Sequence, residues 1–314
     1  MSHDLAIIIP AYKPDFLEQT LESVLNQTDL RFSLYIFDDA SPANIASVVE
    51  NLSLPEYTTF HRFENNIGQQ SIVKQWERCI DHISDEKWIW LFSDDDRMEP
   101  DCVEAFYKAK EEWPETHCFR FQTKKIDENG TVVRENNFPE EISASKFLNL
   151  KLRSEQESYV VEYIFSKEVH NRLEGFPDLP LAWAADDLFW AKVANQQPIR
   201  TIKGPVVSWR TSSLNISGER NRNSSVKKMD ACLEFVTWIN NQVDIKRELS
   251  PKDLPVRWYA WQMRTLWSGL TFTDRLRAVV KMGLKDVRIF KHYWNVLKEK
   301  SRVIGWLKYK TGRS

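Results

Sequence analysis

Over residues 1–113, short unbroken apolar runs alternate with stretches whose apolar positions recur at helical spacing. The runs are Leu5-Ala6-Ile7-Ile8-Ile9, Phe32 to Phe37, Thr59 to Phe63 and Trp88 to Phe92. Between and after them, Phe16 to Asn26, Ala43 to Leu52, Gln69 to Ile83 and Glu99 to Trp113 carry the helical period. A short apolar run without alternation suits a strand buried on both faces, and strands separated by helices require right-handed crossovers. The pattern therefore predicts an α/β fold, a mostly parallel sheet flanked by helices on both sides. Polar residues gather where each strand ends: Pro10-Ala11-Tyr12-Lys13-Pro14, Asp38-Asp39-Ala40-Ser41, Glu64-Asn65-Asn66-Ile67-Gly68, and Ser93 with Asp94-Asp95-Asp96. Strand tips on one edge of such a sheet converge on a single crevice, the place where open α/β proteins bind ligands.

Beyond Trp113 the pattern changes to strands separated by polar loops, His117 to Thr123 and Thr131 to Arg134. A helix from Ser143 to Leu152, a strand from Tyr159 to Phe165 and a helix from Leu188 to Ala194 follow, the last directly after Asp186-Asp187. Residues 114–218 are thus expected to form a mixed half built onto the sheet of residues 1–113. From Lys227 on the chain reads as helical. Thr273 stands where it would cap a helix in which Leu276, Val280, Leu284, Val287, Phe290, Trp294 and Leu297 share a face, while Arg277, Lys281, Lys285 and Arg288 fall away from it. Residues 219–314 are expected as a helical C-terminal extension.

Composition changes this picture in one respect. The net charge of −2 hides an asymmetry: residues 251–314 hold 15 Lys+Arg and 4 Asp+Glu, which leaves 28 against 41 for the first 250. An acidic body with a basic tail points to an anionic partner for the tail, a membrane surface or a nucleic acid. No nucleic-acid motif accompanies the charge, and none is expected. Trp258, Trp261, Trp267, Trp294 and Trp306 lie among the basic residues, a mixture favoured at anionic headgroups, so peripheral membrane attachment stays open beside simple packing of the apolar stripe on the body. The cysteines, Cys79, Cys102, Cys118 and Cys232, show no zinc-ligand spacing and read as reduced thiols of a cytoplasmic protein. The apolar run at Leu5 stops at Pro10, too short for a signal peptide or an anchor.

The candidate chemistry starts from Asp94-Asp95-Asp96. Three adjacent carboxylates repel one another unless a cation sits among them, and hard oxygen donors suit Mg²⁺ or Mn²⁺. The competing expectation is a solvated turn whose aspartates cap the helix beginning near Glu99.

Taken together, Ile8-Ile9-Pro10-Ala11-Tyr12, Ile36-Phe37-Asp38-Asp39-Ala40-Ser41, Asn65-Asn66-Ile67-Gly68, Phe92-Ser93-Asp94-Asp95-Asp96 with Pro100, and Asp186-Asp187 resemble, in order, the motifs of a family 2 glycosyltransferase of the GT-A fold, over residues 5 to 217. That resemblance implies a Rossmann-like mixed sheet and an inverting, metal-dependent transfer of a sugar from a nucleotide donor, a UDP-sugar, to a glycan or lipid-linked glycan acceptor in bacterial surface polysaccharide synthesis. It also implies that Pro10, Ala11 and Tyr12 meet the nucleotide, with Tyr12 offering its ring to the base and Asp39 accepting the uracil imide N–H. Asp94 would contact ribose and Asp96 would ligate the metal, although with three acids in a row the roles of Asp94, Asp95 and Asp96 stay interchangeable. Gly68 would turn the chain into a helix facing the nucleotide, with Lys74 replacing the arginine that relatives carry nearby as a phosphate contact. Asp187 would take the proton from the acceptor hydroxyl, and Asp186 would be structural, as the N-cap of the helix from Leu188 to Ala194. Trp209-Arg210-Thr211-Ser212 lies where relatives commonly have a histidine in place of Ser212. Two enzymatic alternatives, a sugar nucleotidyltransferase and a dinucleotide oxidoreductase, lack their glycine-rich phosphate loops here. A non-catalytic sugar-nucleotide-binding protein that assembles at the membrane surface is a third.

Overall fold

The computed structural model describes residues 3–212 and 220–311, with side chains described through residue 300, so the side chain of Trp306 lies outside them. β1 (Leu5–Ala11), α1 (Leu17–Leu25), β2 (Phe32–Asp38), α2 (Ile45–Glu50), β3 (Thr58–Arg62), α3 (Ile72–Asp81) and β4 (Trp88–Leu91) follow the alternation expected from the sequence. β5 (Arg97–Met98), α4 (Cys102–Glu112), β6 (Cys118–Ile126), β7 (Val132–Asn136), β8 (Glu141–Ile142), α5 (Ala144–Leu152), β9 (Tyr163–Ser166), α6 (Lys167–Arg172), α7 (Ala185–Gln196) and β10 (Ile199–Arg210) complete one ten-stranded sheet and its helices. The strand order is β3-β2-β1-β4-β9-β6-β10-β5, with β7 paired to β6 and β8 to β10.

The first four strands are parallel to one another, and β9, β7, β8 and β5 introduce antiparallel pairs beyond them. The chain steps from β1 outward to β2 and β3, then returns to place β4 on the other side of β1. The strand order reverses there, which opens a crevice beyond the carboxyl ends of β1 and β4. Beneath it the core is dry: Ile7, Ile9, Leu21, Ile36, Trp90, Phe106 and Phe119 are wholly buried. Each such side chain contributes roughly 1.5–3 kcal/mol by leaving water.

Three local expectations need correction, and one strand, β10, was not anticipated. The segment expected to be extended from Tyr159 opens as a 3-10 turn at Val160–Glu162, where the Val161 carbonyl accepts from the indole Nε1 of Trp90 at 2.7 Å, and the strand begins only at Tyr163. The strand β10 is interrupted in sequence by Gly204-Pro205 yet runs through both: its pairing with β6 shifts register between Ile202 and Val206, and Gly204 adopts φ +108°. A bulge absorbs the two residues that normally end a strand. Asp186 and Asp187 lie inside the first turn of α7, which begins at Ala185, so neither is its cap. The aspartate cluster caps no helix either, since Asp101 precedes α4.

The chain groups into two compact units, one comprising Met1–Phe147, Gln156–Asp178 and Ala185–Asn215, the other Leu148–Glu155, Leu179–Ala184 and Ile216–Ser314. The second contains α8 (Arg222–Asn241), α9 (Val243–Glu248), α10 (Leu254–Thr265), α11 (Phe272–Gly283) and α12 (Ile289–Thr311). Phe235 of α8 meets Trp258 of α10 edge to face, with ring centroids 5.3 Å apart. The cap of α11 is Thr271 rather than Thr273. Its hydroxyl accepts from the Asp274 N–H while the Asp274 carboxylate accepts from the Thr271 N–H, a reciprocal box that a sequence scan places two residues late.

Candidate functional site

The carboxyl ends of β1 and β4 are tied together by an aspartate. Asp94 Oδ2 accepts the backbone N–H groups of Tyr12 and Lys13, both at 2.8 Å, so the turn leaving β1 is held by the turn leaving β4. The Tyr12 carbonyl accepts from Ser41 Oγ at 2.6 Å, which brings in the end of β2, and the Tyr12 ring stays half-exposed with its hydroxyl accepting from Gln69 Nε2 at 3.2 Å. Asp95 accepts from Ser93 Oγ at 2.7 Å and pairs with Lys13 Nζ at 3.2 Å. None of the three aspartates is solvated. Asp94 and Asp95 are 5% and 6% exposed and Asp96 not at all, which removes the solvated-turn alternative.

Burial without full neutralisation shifts these groups. Desolvation, then the charge of Asp95, pushes the Asp94 carboxyl up to about 6, against the pull of Lys13 and the two amides. Asp96 is driven well upward by the same burial and by Asp95, opposed by its bond from the Arg210 amide. Lys13 is raised, since the attraction of Asp94 and Asp95 outweighs its own burial, and it therefore remains charged.

A second lock forms at the end of β2. Asp38 shapes the turn by accepting the Ser41 N–H at 2.8 Å and pairs with Arg62 at the end of β3. Asp39 receives the Ile67 and Gly68 amides at 3.0 and 2.9 Å and the Arg78 guanidinium at 2.5 Å, so both of its oxygens are engaged by the loop before α3. Gly68 is required by this approach: a Cβ there would stand 2.5 Å from Asp39 Oδ2. Pro10 and Ala11 complete β1, where the Ala11 carbonyl accepts the Asp39 amide at 3.1 Å. Lys74 is exposed beside Asp178, 3.7 Å away, whereas Arg78, one helical turn further on, lies over the Phe63 ring at 3.6 Å and reaches Asp39.

The far end of β10 closes the acidic cluster. Arg210 is buried, donates its amide to Asp96 Oδ1 at 2.6 Å, and directs its guanidinium to the Asp95 carbonyl, to the Asp127 and Glu128 carbonyls and to Gln19. Asp96 Oδ2 is buried with no hydrogen-bond partner among the described residues. An orphaned carboxylate oxygen is costly unless a cation or proton meets it. Among the described residues no three His, Cys, Asp or Glu side chains form a ready metal cage. The donor set thus fits a small hard cation that takes one or two carboxylates and completes its shell with water and substrate phosphates. Asp96 and Asp94 are the residues that would hold Mg²⁺ or Mn²⁺.

Asp187 is buried and Asp186 half-buried in the first turn of α7, where the helix dipole favours carboxylates. The backbone just before them is strained, with Leu181, Ala182 and Ala184 at φ 59°, 52° and 61°, a conformation that costs a non-glycine residue on the order of 1 kcal/mol or more. Sequence reasoning missed Lys13, Arg62 and Arg78 as the cations that set the aspartates in place, and it quoted Arg210 only as part of the Trp209-Arg210-Thr211-Ser212 element, without its bonds to Asp95 and Asp96.

The fold is thus a mixed α/β sheet with its switch point between β1 and β4 and an acidic tip on β4. Residues 6–167, just over half of the chain, match the family model for glycosyl transferase family 2, and the chain belongs to that family. Protein CgeD of Bacillus subtilis (strain 168) is 24% identical over 215 residues, 64% of this chain and 49% of that protein, so the chain spans about half the length of this curated relative. Crystal structures of residues 1–349 of S. aureus TarS share the fold. The complex with UDP-GlcNAc has a TM-score of 0.67 at 13% identity, covering 98% of this chain and 92% of that one. The complex with UDP has a TM-score of 0.58 at 13% identity, covering 99% and 92%.

Proposed function

We propose that the protein transfers a sugar from a UDP-sugar to a hydroxyl of a glycan or lipid-linked glycan acceptor, with inversion at the anomeric carbon, in bacterial surface polysaccharide synthesis. The observation that carries this is the buried aspartate cluster at the β1/β4 switch point, which leaves one carboxylate oxygen without a partner among the described residues where a diphosphate-bound cation would sit. The TarS complexes with UDP-GlcNAc and UDP support the choice of donor. The free, buried cysteines support a cytoplasmic location.

Tyr12 offers its ring to uracil, and Asp39, fixed by Arg78, accepts the imide N–H at the edge of the base. Asp94, held by the Tyr12 and Lys13 amides, accepts from ribose, with Asp95 and its partner Lys13 beside it. A bound Mg²⁺ or Mn²⁺, held by Asp96 and Asp94, would offset the charge that develops on the departing diphosphate. Asp187 takes the proton of the acceptor hydroxyl as its oxygen bonds to the anomeric carbon and the bond to the diphosphate breaks. Lys74, exposed in the first turn of α3, would meet a donor phosphate, while the Gly68 amide holds Asp39.

Release of UDP from a panel of UDP-sugars with candidate acceptors tests the assignment. Asp187→Asn should bind donor normally and turn over at least ~10²-fold more slowly, the usual scale for a lost general base, while Asp186→Asn stays within a few-fold of the unmodified protein. Reversed severities would move the base to Asp186, and full activity in both variants would remove it from the pair.

A further inference from the structure

The apolar stripe of the C-terminal helices, for which packing and membrane attachment were both open, faces outward. α11 and α12 bury a different set, Ala278, Val279, Met282, Ile289, Tyr293 and Val296, and leave Leu276, Val280, Leu284, Val287, Phe290 and Trp294 exposed, with Leu284 at 82% and Val287 at 71%. Exposed apolar side chains at single positions are ordinary, whereas a run of them along two successive helices marks an interaction surface.

The charge around that run is predominantly basic. All four acidic residues of 251–314 are engaged in ion pairs: Asp253 with Arg257, Asp274 with Arg222, Asp286 with Arg288 and Glu299 with Arg264. Arg277, Lys285 and Lys291 are exposed and make no ion pair among the described residues. Val287 leads directly into Arg288, which lines a cleft of about 330 Å³ together with Asn240, Val243, Lys246, Arg247 and Lys252. The Asn240 amide nitrogen and oxygen are buried there without a hydrogen-bond partner among the described residues.

We propose that α11 and α12 form a monotopic lipid-binding surface, in which the outward apolar stripe enters the headgroup boundary of an anionic bilayer and the basic cleft beside it receives lipid phosphate. No described helix is long and apolar enough to cross a membrane. Apolar side chains interleaved with unpaired cations, and a Trp at the edge, suit that boundary. A second copy of the chain is a poorer occupant, because an isologous contact through this face would bring Arg277, Lys285 and Lys291 against their own images. The surface is independent of the nucleotide site and of the donor assigned to it.

The full-length chain, mixed at low salt with vesicles of phosphatidylglycerol and phosphatidylcholine in equal parts, should co-sediment, and should remain in solution with phosphatidylcholine alone. Raising the salt should weaken the attraction between charges. Leu284→Asp with Val287→Asp, at positions exposed enough to spare the fold, should lower partitioning at least about tenfold. Lys285→Glu with Lys291→Glu should lower it by about fivefold or more for each charge reversed. Unchanged UDP affinity and circular dichroism in both variants exclude misfolding as the cause. No co-sedimentation of the unmodified chain at low salt, or equal sedimentation of the variants, overturns the proposal. So does a vesicle-independent dimer that Leu284→Asp dissociates, which would give the face to a second copy.

Discussion

At Gly68 a single missing methyl group sets what the site tolerates. The glycine amide and the Asp39 carboxylate are in contact, and the space for a Cβ is already filled by Asp39 Oδ2. Gly68→Ala should displace Asp39, weaken UDP binding about tenfold and cost roughly 1–3 kcal/mol of stability, the usual scale for overpacking; parallel UDP titration and thermal melting check both. The acidic cluster gives a pH signature. The folded Asp94 binds its proton up to about pH 6, above its ordinary 3.8, so the folded state holds more protons than the unfolded one between those values. Stability without cation must therefore fall as pH rises through that window, by on the order of 3 kcal/mol from this group, and stay lowered above it. Melting temperatures measured from pH 4 to 7 should show the decline, and Asp94→Asn should flatten it. The aspartates themselves were legible in sequence because their clustering at a strand end is unusual. The basic residues that fix them were not: Lys13 and Arg210 are ordinary in composition, and their roles exist only once β1, β4 and β10 lie side by side.

At the scale of elements, the parallel half was legible because each strand is buried on both faces and reads as an unbroken apolar run. β10 was not, since Gly204-Pro205 carries the strongest local signal for a break while non-local pairing to β6 carries the chain through it. Gly204 earns its place by conformation alone, as no atom lies within 4 Å of a Cβ built there. Gly204→Ala should lower the melting temperature by roughly 2–4 °C, equivalent to about 1 kcal/mol for a left-handed alanine in a domain of this size. α3 makes the complementary case. Its Arg78 binds Asp39 and the Asn65 carbonyl from one guanidinium, so Arg78→Ala should raise the donor KM about tenfold with little change in kcat, because the group positions the base-reading carboxylate and takes no part in bond exchange.

At the scale of the whole molecule, charge is divided along the chain: 15 Lys+Arg against 4 Asp+Glu after residue 250, and 28 against 41 before it. Periodicity located the apolar stripe of α11 and α12 but not the direction it faces, because the inward set of small and medium side chains shares the same period. The helices beyond residue 250 also pack. Trp258, Tyr259 and Met263 are buried in the second unit, so removing residues 251–314 should leave α8 uncovered and the remainder insoluble, unlike the surface substitutions above. The central claim, that the β1/β4 crevice takes a nucleotide diphosphate together with a divalent cation on Asp96, is tested most directly by calorimetric titration of UDP into the full-length chain with Mn²⁺, with EDTA, and in Asp96→Ala. The account predicts binding that Mn²⁺ tightens at least tenfold in the unmodified chain and leaves unchanged in the variant. Equal affinity with Mn²⁺ and with EDTA, or no UDP binding under either condition, would contradict it.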